Sequence, residues 1–373
     1  MRRWNIIFWE PSVSPHKLAL FRALAQSPRT GRCIYVAQEP FPEGRAGQGW
    51  ELDDRHDLDI RVAPTDDDIA DLIDTDRDDT IHLFSGIHWV PCIVAGLDRA
   101  IRSGARFGLM VEPRASEGWR GLARLAHSWL TERRIRTHAA FVLAIGRHGP
   151  SWFRRTGYRA DRIFPFAYFL PHRPAAPAAP SGDHLRLGYL GRLTQAKGIS
   201  LVLDLPPHLT MPACLRIAGA GDAADAVRAL AGSRSDVAFD GAVPMSEVPA
   251  FLAAIDILLV PSLTTDDGWA AVVSEALMAG CAVVASERAG ASILLDDPAR
   301  GRVLTTFDSA ALAEAVAAVV TATRFDAAAR EARARWAARH LTGEAGAAML
   351  FAILDHVVDA GPRPSPFYAE TPD

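Results

Sequence analysis

Two carboxylates, Asp267 and Glu275, lie eight positions apart on either side of a predicted helix start. Eight residues are a little over two helical turns, so Glu275 should point toward the loop that carries Asp267. A carboxylate accepts two hydrogen bonds at once, which suits the neighbouring hydroxyls of a ribose or another sugar ring. The same spacing is also typical of a capped helix, with Asp267 as the cap and Glu275 on the surface.

Two cations precede this pair in the sequence. Arg192 and Lys197 lie five positions apart in a loop that follows Gly191, where a strand ends and a helix begins. Gly191 permits close approach of the backbone, and the two cations beside a helix N-terminus suit a diphosphate. Exposed cations in loops are more often simply solvated, so this loop alone leaves both interpretations open.

Two further strand ends carry glycines. Gly219 and Gly221 form a short Gly-x-Gly turn between a strand and a helix, without the third glycine of a dinucleotide-binding fingerprint. Its backbone N–H groups suit a phosphate or a sugar, although a turn that merely packs tightly has the same pattern. The turn from Gly241 to Val243 follows the next strand, and we expect its backbone to lie along the edge of a nucleobase.

These loops belong to a chain in which short apolar runs alternate with helical patterns, which is typical of parallel sheets covered by helices. Open parallel sheets bind ligands at the carboxyl ends of their strands. We therefore expect an α/β fold of two Rossmann-like domains whose parallel sheets face one interdomain cleft. The predicted strands are Asn5–Trp9, Cys33–Ala37, Thr80–Phe84, Arg106–Val111, Phe141–Ala144, Leu185–Leu190, Ala213–Ala218, Val237–Phe239, Ile257–Val260 and Ala282–Ala285.

The segment 173–183 is rich in Pro and Ala, has no apolar periodicity, and is predicted to link the two domains. The expected limits are residues 1–172 for the first domain and 184–345 for the second. Residues 346–373 should form a terminal helix and tail that pack back on the first domain. The three predicted C-terminal helices are Ala310–Thr321, Asp326–His340 and Glu344–Val358.

Composition limits the class of protein. The net charge of −4, the four separated cysteines and the 49% hydrophobic content indicate a globular chain in a reduced, cytoplasmic setting, without structural zinc. The charge gives no sign of a nucleic-acid-binding protein. The apolar run that ends at Glu10 and Pro11 is too short for a signal peptide and predicts a buried strand. No stretch approaches the roughly 20 apolar residues needed to span a bilayer.

Taken in order, the motifs of the second half resemble the nucleotide-sugar-binding domain of the retaining glycosyltransferases of family four, which have the GT-B fold. The first half resembles this family more loosely. The matching segments are Gly191-Arg192-Leu193, Lys197-Gly198, Ala218-Gly219-Ala220-Gly221, Phe239-Asp240-Gly241, Pro261-Ser262, Asp267-Gly268-Trp269, the run from Glu275 to Gly280, the run from Val283 to Ser286, and Ala289-Gly290.

The resemblance implies a role for each matching residue. Arg192 and Lys197 would hold the diphosphate of the donor, and Glu275 the ribose. Asp267 would contact the transferred sugar, with help from Gly268 and Trp269.

Two positions depart from the family pattern. The family has Glu where this chain has Asp267, which is one methylene shorter, and usually Gly where this chain has Ala270. The resemblance implies that both positions lie beside the transferred sugar, so the departures would concern the identity of that sugar.

On the acceptor side, the predicted strand that ends at Val111 leads into Glu112, where many relatives carry a histidine near the reaction centre. Glu112 is the candidate for orienting the sugar or the acceptor, and pairing with Arg114 is the structural alternative. His16 follows the first strand at a helix start, where it is a contact for acceptor or phosphate or else a bystander. His88 follows another strand and is assigned to the wall of the cleft.

The family mechanism needs no protein nucleophile, because the leaving phosphate assists deprotonation of the acceptor on the same face of the sugar. The chief contribution of the protein is electrostatic stabilisation of the departing diphosphate. Neither a metal nor a cofactor is expected, and the donor base, UDP or GDP type, is left open. Asp76 and Asp78 match the Asp-x-Asp motif of metal-dependent enzymes of another fold, but they lie in an acidic loop that we interpret as solvated.

Residues 113–162 are strongly basic, with eleven arginines against three acidic residues in a chain of net charge −4. Aromatic residues are interleaved with them. Such a face suits anionic lipid headgroups and a lipid-linked acceptor, but a solvated arginine face with tryptophans in the core fits equally well. The arginines are Arg114, Arg120, Arg124, Arg133, Arg134, Arg136, Arg147, Arg154, Arg155, Arg159 and Arg162, and the aromatics are Trp119, Trp129, Trp152 and Phe153.

The sequence thus predicts a cytoplasmic retaining glycosyltransferase that moves a sugar from a nucleotide diphosphate to a glycan or lipid-linked saccharide. Its expected setting is bacterial cell-surface polysaccharide or glycoconjugate synthesis, at the inner face of the cell membrane. Two alternatives remain, a sugar-nucleotide epimerase or phosphorylase of the same fold and a non-catalytic nucleotide-sugar-binding protein. Nucleic acid is not an expected partner.

Overall fold

The computed structural model describes residues 2–40, 58–172, 184–265 and 268–369. The chain divides into two compact units, the first formed by Met1–Pro171 with Leu341–Asp373 and the second by His172–His340. The return to the first unit thus falls at Leu341 rather than at residue 346. The predicted linker 173–183 lies outside the described residues.

The first unit is built on a parallel sheet. Its strand order is β3-β2-β1-β4-β5-β6-β7, and each neighbouring pair is parallel. The central strands are continuous apolar runs, as expected for parallel strands shielded from water on both faces. The strands are β1 (Trp4–Ser12), β2 (Thr30–Glu39), β3 (Asp59–Val62), β4 (Thr80–Phe84), β5 (Phe107–Val111), β6 (Phe141–Ile145) and β7 (Ile163–Phe166).

The second unit repeats this architecture, with the order β10-β9-β8-β11-β12-β13, again parallel throughout. The expected pair of parallel-sheet, Rossmann-like domains is therefore confirmed. The strands are β8 (Leu185–Leu190), β9 (Ala213–Ala218), β10 (Val237–Gly241), β11 (Ile257–Val260), β12 (Ala282–Ser286) and β13 (Gly301–Leu304).

Helices connect the strands, and several begin at residues that favour a helix start. Pro15 and Pro91 occupy first-turn positions, and Thr65 forms a reciprocal capping box with Asp68. In the first unit lie α1 (Pro15–Ala25), α2 (Asp66–Asp74), α3 (Pro91–Ser103), α4 (Gly118–Thr131), α5 (Arg133–His138) and α6 (Gly149–Arg155). In the second lie α7 (Ile199–Leu203), α8 (Ala224–Ser233), α9 (Val248–Ala253), α10 (Ala271–Met278), α11 (Ser309–Ala322) and α12 (Ala327–His340).

Three strands were not predicted, and each lacks a signal for a reason visible in the structure. Strand β3 lies at the edge of its sheet and is largely exposed, so it has no apolar run. Strand β7 contains Pro165 and lies at the opposite edge of the same sheet, which is where proline is tolerated. Strand β13 is a short edge strand that carries the exposed Arg302.

The last helix, α13 (Gly343–Asp359), belongs to the first unit and packs against α1. Gly343 is essential to this contact, because a β-carbon there would collide with the carbonyl oxygen of Ala19. Arg29 pairs with Asp355, 2.5 Å apart, and its guanidinium lies 4.6 Å from the ring centre of Phe351. The C-terminal segment is thus fixed to the first unit by close backbone packing and an ion pair.

Among the residues described, none of the helices is both long and apolar enough to cross a lipid bilayer.

Candidate functional site

The described loops that carry the predicted donor residues lie at the carboxyl edge of the second sheet. Strands β8 and β11 are neighbours in this sheet, and the chain leaves them toward opposite sides. Such a switch in strand order opens a crevice at the carboxyl ends of the strands, where ligands bind in open α/β sheets. The loop 191–198 follows β8 and the loop 261–270 follows β11, so both flank this crevice.

Glycines link the strand-end loops directly through their backbones. The amide of Gly219 donates to the carbonyl of Gly241 over 2.7 Å, and the amide of Gly191 donates to Ala218 over 3.1 Å. A β-carbon on Gly219 would collide with the carbonyl oxygen of Gly191, and one on Gly221 would lie 2.5 Å from that of Leu193. The glycines that the sequence assigned to phosphate or sugar contact therefore also hold three loops together.

The backbone of Arg192 is fixed while its side chain is exposed. The buried Tyr189 hydroxyl donates to the Arg192 carbonyl over 2.7 Å, and burial raises the pKa of Tyr189, so this phenol stays protonated. Among the described residues, no ion pair with the Arg192 guanidinium is found. The Arg192 guanidinium thus extends from a hydrogen-bonded turn and is available to a ligand at the carboxyl edge of the sheet.

Lys197 is half-buried and ends a short 3-10 turn before Gly198. Gly198 has a φ of 73°, and a β-carbon there would collide with the carbonyl oxygen of Pro261. The amide of Leu263 donates to Ala196 over 2.9 Å. The loops after β8 and β11 are therefore in contact, which brings Lys197 to the same part of the edge as Arg192.

Glu275 lies half-buried on α10, among side chains that are mostly buried. A carboxylate at this position on an apolar helix favours a polar role over that of a freely solvated surface residue. Asp267 lies outside the described residues, so its pairing with Glu275 stays a prediction. The half-buried Val243 and Gly241 complete the edge after β10.

Trp269 is a core residue in this structure. Its indole is almost fully buried, and its Nε1 donates to the hydroxyl of Ser274 over 3.0 Å. The carbonyls of Gly268 and Trp269 accept from the amides of Gly290 and Ala291, both over 2.8 Å. Any contact of Trp269 with a bound ligand would therefore come from its backbone rather than from its indole ring.

Arg288 was not singled out from the sequence. It follows β12, donates to the carbonyl of Leu263, and its guanidinium lies 4.0 Å from the ring centre of Phe307. The only sequence signal was its position after a buried strand. Arg288 holds the loop after β11 against the sheet and adds a positive charge near the edge.

Ala270 immediately precedes α10 and has a left-handed backbone, with φ 58° and ψ 69°. An L-residue with a β-carbon is strained there, whereas glycine is not. We expect Ala270→Gly to raise the free energy of unfolding by about 0.5 to 1 kcal/mol, because relief of strain exceeds the added entropy of the unfolded chain.

The measurement is denaturant unfolding of the two proteins. Ala310→Gly, at an exposed helical position in α11, is the matched control and should lower stability. Equal destabilisation by both substitutions would show that Ala270 is not strained.

The first unit has an equivalent switch in strand order between β1 and β4, and a buried carboxyl group lies there. Glu10, near the end of β1, is almost fully buried, pairs with Lys17 in the first turn of α1, and accepts from the Ser85 hydroxyl over 2.5 Å. Ser85 follows β4 directly, and its amide donates to Trp9 over 2.9 Å. Sequence reasoning missed this group, since Glu10 was interpreted only as the end of an apolar run.

Glu112 lies on the same edge, after β5, and is exposed. The phenol of Tyr168 hydrogen-bonds to it, and the pKa of Tyr168 is raised by burial and by the negative charges of Glu112 and Glu10. The Nζ of Lys17 lies 5.6 Å from the ring centre of Tyr168. Glu112 and the Glu10–Lys17 pair are therefore connected through one aromatic side chain.

His16 is half-buried in the first turn of α1, next to Lys17. The loop before it is held by Tyr35, whose hydroxyl donates to the Ser12 carbonyl over 3.1 Å and accepts from the Ser14 amide over 3.3 Å. His16 thus follows the carboxyl end of β1, and its contact with an acceptor or a phosphate stays a prediction.

Burial raises the pKa of Glu10 above its ordinary value of 4.5, and the charge of Lys17 opposes that rise. Removing the lysine should raise the pKa of Glu10 further. The loss of stability should therefore be small at a pH where Glu10 is protonated in both proteins, and should grow as the pH rises through the raised pKa of Glu10 in the folded wild type. We expect Lys17→Met to lower the free energy of unfolding by about 2 kcal/mol near pH 8 and by less near pH 5.

Unfolding of the single variants and of the Glu10→Gln/Lys17→Met double variant measures this coupling. The double variant should lose the extra pH dependence. A loss for Lys17→Met that is the same at both pH values would contradict a buried, ionised Glu10.

His88 lies in a different polar cluster of the first unit. Its ring centre is 5.9 Å from that of His127 on α4, and its Nε2 is 3.6 Å from the carboxylate of Glu132. Glu132 is buried and accepts from the Tyr158 hydroxyl over 3.0 Å. Arg114 also reaches this cluster, donating to Ser128 over 3.3 Å. His88 thus lies in a polar cluster with residues of α4, and its assignment to the wall of a cleft stays a prediction.

Asp76 and Asp78 precede β4, at the amino end of that strand. The carbonyl of Asp78 accepts from Arg2 and Arg106, and Asp76 has a φ of 49° in the turn. Within the described ranges, no group of three or more His, Cys, Asp or Glu side chains is arranged to hold a metal ion.

Comparison with known proteins places this geometry in context. Residues 184–322 match the family model described as Glycosyl transferases group 1. This range contains the strands and loops that form the carboxyl edge of the second sheet. In a comparison with curated proteins, no match to the chain was found.

Several solved structures share the fold over nearly the whole chain. HepE of Anabaena, in complex with UDP, is 17% identical with a TM-score of 0.69, covering 94% of this chain and 99% of that one. The lipopolysaccharide outer core galactosyltransferase WaaB is 14% identical with a TM-score of 0.65, covering 95% and 99%. Sucrose-phosphate synthase of Thermosynechococcus elongatus is 14% identical with a TM-score of 0.60, covering 96% and 100%. At these identities the likeness establishes the GT-B fold.

Proposed function

We propose that this protein is a retaining glycosyltransferase that moves a sugar from a nucleotide-diphosphate sugar to a glycan or lipid-linked saccharide. One observation carries the proposal. The loops after β8, β9, β10 and β11, which hold the family motifs in order, are joined backbone to backbone at one edge of the second sheet. The family match over residues 184–322 covers the same loops.

The cations of this edge would stabilise the leaving group. Arg192, on its rigid turn, and Lys197, beside Gly198, bind and neutralise the diphosphate as the bond to the sugar breaks. Glu275 accepts hydrogen bonds from the ribose hydroxyls, and the backbone from Gly241 to Val243 borders the base. Asp267 orients the transferred sugar. Because Arg192 and Lys197 would neutralise the diphosphate, the proposal includes no metal ion and no cofactor.

In the proposed reaction, the bond between the anomeric carbon and the phosphate oxygen breaks while the acceptor oxygen bonds the same carbon from the same face. The acceptor proton passes to the departing phosphate, so no protein nucleophile takes part. Glu112 and His16, at the carboxyl edge of the first unit, are the candidates for positioning the acceptor. The Glu10–Lys17 pair supports them through Tyr168.

HepE is known in complexes with UDP and with UDP-glucose. This supports testing UDP-sugars first, although the donor base and sugar of this chain are not fixed by the fold. We place the reaction in bacterial cell-surface polysaccharide or glycoconjugate synthesis, in the cytoplasm at the inner face of the membrane.

A donor panel tests the proposal. The purified protein is incubated with UDP-, GDP- and ADP-sugars, with and without saccharide acceptors, and nucleotide release, sugar products and thermal stability are followed. Transfer that keeps the anomeric configuration of the donor is the expected result. Epimer formation without acceptor would support an epimerase, and stabilisation without any product a binding protein. Either outcome would overturn the proposal.

A further inference from the structure

Helix α4 exposes large apolar side chains to water. Leu122 is 62% exposed, Trp129 51%, Leu130 68% and Trp119 74%. On a helix of 3.6 residues per turn these positions fall within an arc of roughly 100° on one face. A single exposed apolar residue is ordinary, but four on one face of a 14-residue helix form a patch of the kind that marks a binding surface.

The opposite face of α4 already has its partners. Gly121 and Ser128 are buried, and Leu125 packs on the core cluster of the first unit. Glu132, at the end of the helix, is buried and hydrogen-bonded to Tyr158. The helix therefore packs on the first unit through Gly121, Leu125 and Ser128, whereas Trp119, Leu122, Trp129 and Leu130 are turned outward.

Each exposed tryptophan of α4 has an arginine beside it. The guanidinium of Arg120 lies 5.5 Å from the ring centre of Trp119, and that of Arg136 lies 5.4 Å from Trp129. Arg136 also donates to the Trp129 carbonyl over 2.5 Å. Aromatic rings with adjacent cations are typical of helices that lie in the headgroup region of a bilayer, with rings in the acyl boundary and cations on phosphates.

We propose that α4 is a membrane-docking helix that inserts Trp119, Leu122, Trp129 and Leu130 into an anionic lipid surface. Charge selects this partner over a second copy of the chain. The region 113–162 has eleven arginines against three acidic residues. A symmetric contact would bring Arg120 and Arg136, which lie beside the exposed tryptophans, against the same residues of a second copy, whereas a membrane with acidic lipids complements their charge. Of the two interpretations of these aromatics, the core one holds for Trp152 and Phe153, which are buried, and not for Trp119 and Trp129.

The position of α4 brings this surface near Glu112, the candidate residue for positioning the acceptor. The helix begins six residues after Glu112, which lies at the carboxyl edge of the first sheet. The ring of His88 contacts both the exposed Trp89 and His127 of α4, so Trp89 lies near this helix. A lipid-linked acceptor held in the bilayer would be presented next to that edge. Docking itself requires no donor, so it stands or falls separately from the proposed transfer reaction.

Flotation with vesicles tests the inference without any nucleotide sugar. The full-length protein should bind vesicles that contain about 30% phosphatidylglycerol in phosphatidylcholine, and bind pure phosphatidylcholine far less. Trp119→Ser/Leu122→Ser should weaken binding about tenfold or more, because apolar area leaves the bilayer. Val62→Ser, an exposed apolar position on edge strand β3, is the matched control and should bind like wild type.

Light scattering of the same proteins tests the alternative that a second copy of the chain binds this face of α4. Wild type that fails to bind anionic vesicles, or binds them as well after the double substitution, would overturn the proposal. A wild-type dimer that the double substitution converts to a monomer, with no vesicle binding, would instead make this face a contact between copies. Circular dichroism shows whether the double variant is folded.

Discussion

Arg192→Ala is expected to lower kcat/KM for sugar transfer by about 10²- to 10³-fold. The guanidinium is exposed, and within the described part of the chain it has no ion-pair partner, so its charge is available to the diphosphate. Because the negative charge of the leaving group grows as the bond to the sugar breaks, the interaction strengthens in the transition state and the loss should fall mainly on kcat. The fold should be unaffected, since the side chain contributes little packing.

The matched control is Arg302→Ala, which removes an exposed arginine from edge strand β13 of the same sheet. It should keep kcat/KM within about twofold of wild type, and Arg192→Lys should retain part of the activity, as a cation without the guanidinium fork. Steady-state kinetics with the donor identified by the panel gives the answer. Arg192→Ala with wild-type kcat/KM would remove the main support for diphosphate stabilisation at this edge.

Gly219→Ala is expected to destabilise the second unit by about 4 kcal/mol or more. Gly219 has a φ of 148°, and a β-carbon there would collide with the carbonyl oxygen of Gly191. The loops after β8 and β9 would have to separate, which also breaks the bond from the Gly219 amide to Gly241. Nucleotide binding should be lost with stability, because the same loops form the edge proposed to bind the donor.

Gly232→Ala is the control for this substitution. Gly232 lies exposed near the end of α8, and a β-carbon there would meet no atom within 4 Å, so alanine should stabilise the protein by roughly 0.5 to 1 kcal/mol. Thermal unfolding with and without the nucleotide measures both variants. If Gly219→Ala unfolded like wild type, the close approach of the two loops would not exist in solution.

Local signals were sufficient for most of the fold. Strands β8, β9 and β11 coincide with their predicted limits, since each is a short apolar run between polar turns. The three C-terminal helices differ from prediction by at most one residue at each end. The edge strand β10 was predicted, but the other three edge strands were missed. Strand β3 is exposed and pairs through its backbone without an apolar pattern, whereas Pro165 interrupts β7 and the exposed Arg302 interrupts β13.

The polar core of the second unit shows what local patterns do not reveal. Helix α12 has no clear apolar face, yet its Arg330 and Arg333 are almost fully buried. Arg330 donates to the carbonyl of Ile255 over 2.7 Å, and Arg333 to that of Gly280 over 2.9 Å. These arginines satisfy backbone carbonyls on other elements, and no local pattern indicates which carbonyls will lie within reach.

The sequence by itself determined two parallel-sheet domains and the order of the donor loops, because strand patterns and glycine turns are local and parallel strands share one carboxyl edge. Only the tertiary structure decided which side chains are available there. It placed the Trp269 ring in the core, joined Glu10 to Lys17 and Ser85, and turned Trp119 toward solvent. The reason is physical: burial and pairing depend on residues distant in the chain, whereas a motif specifies only its own neighbours.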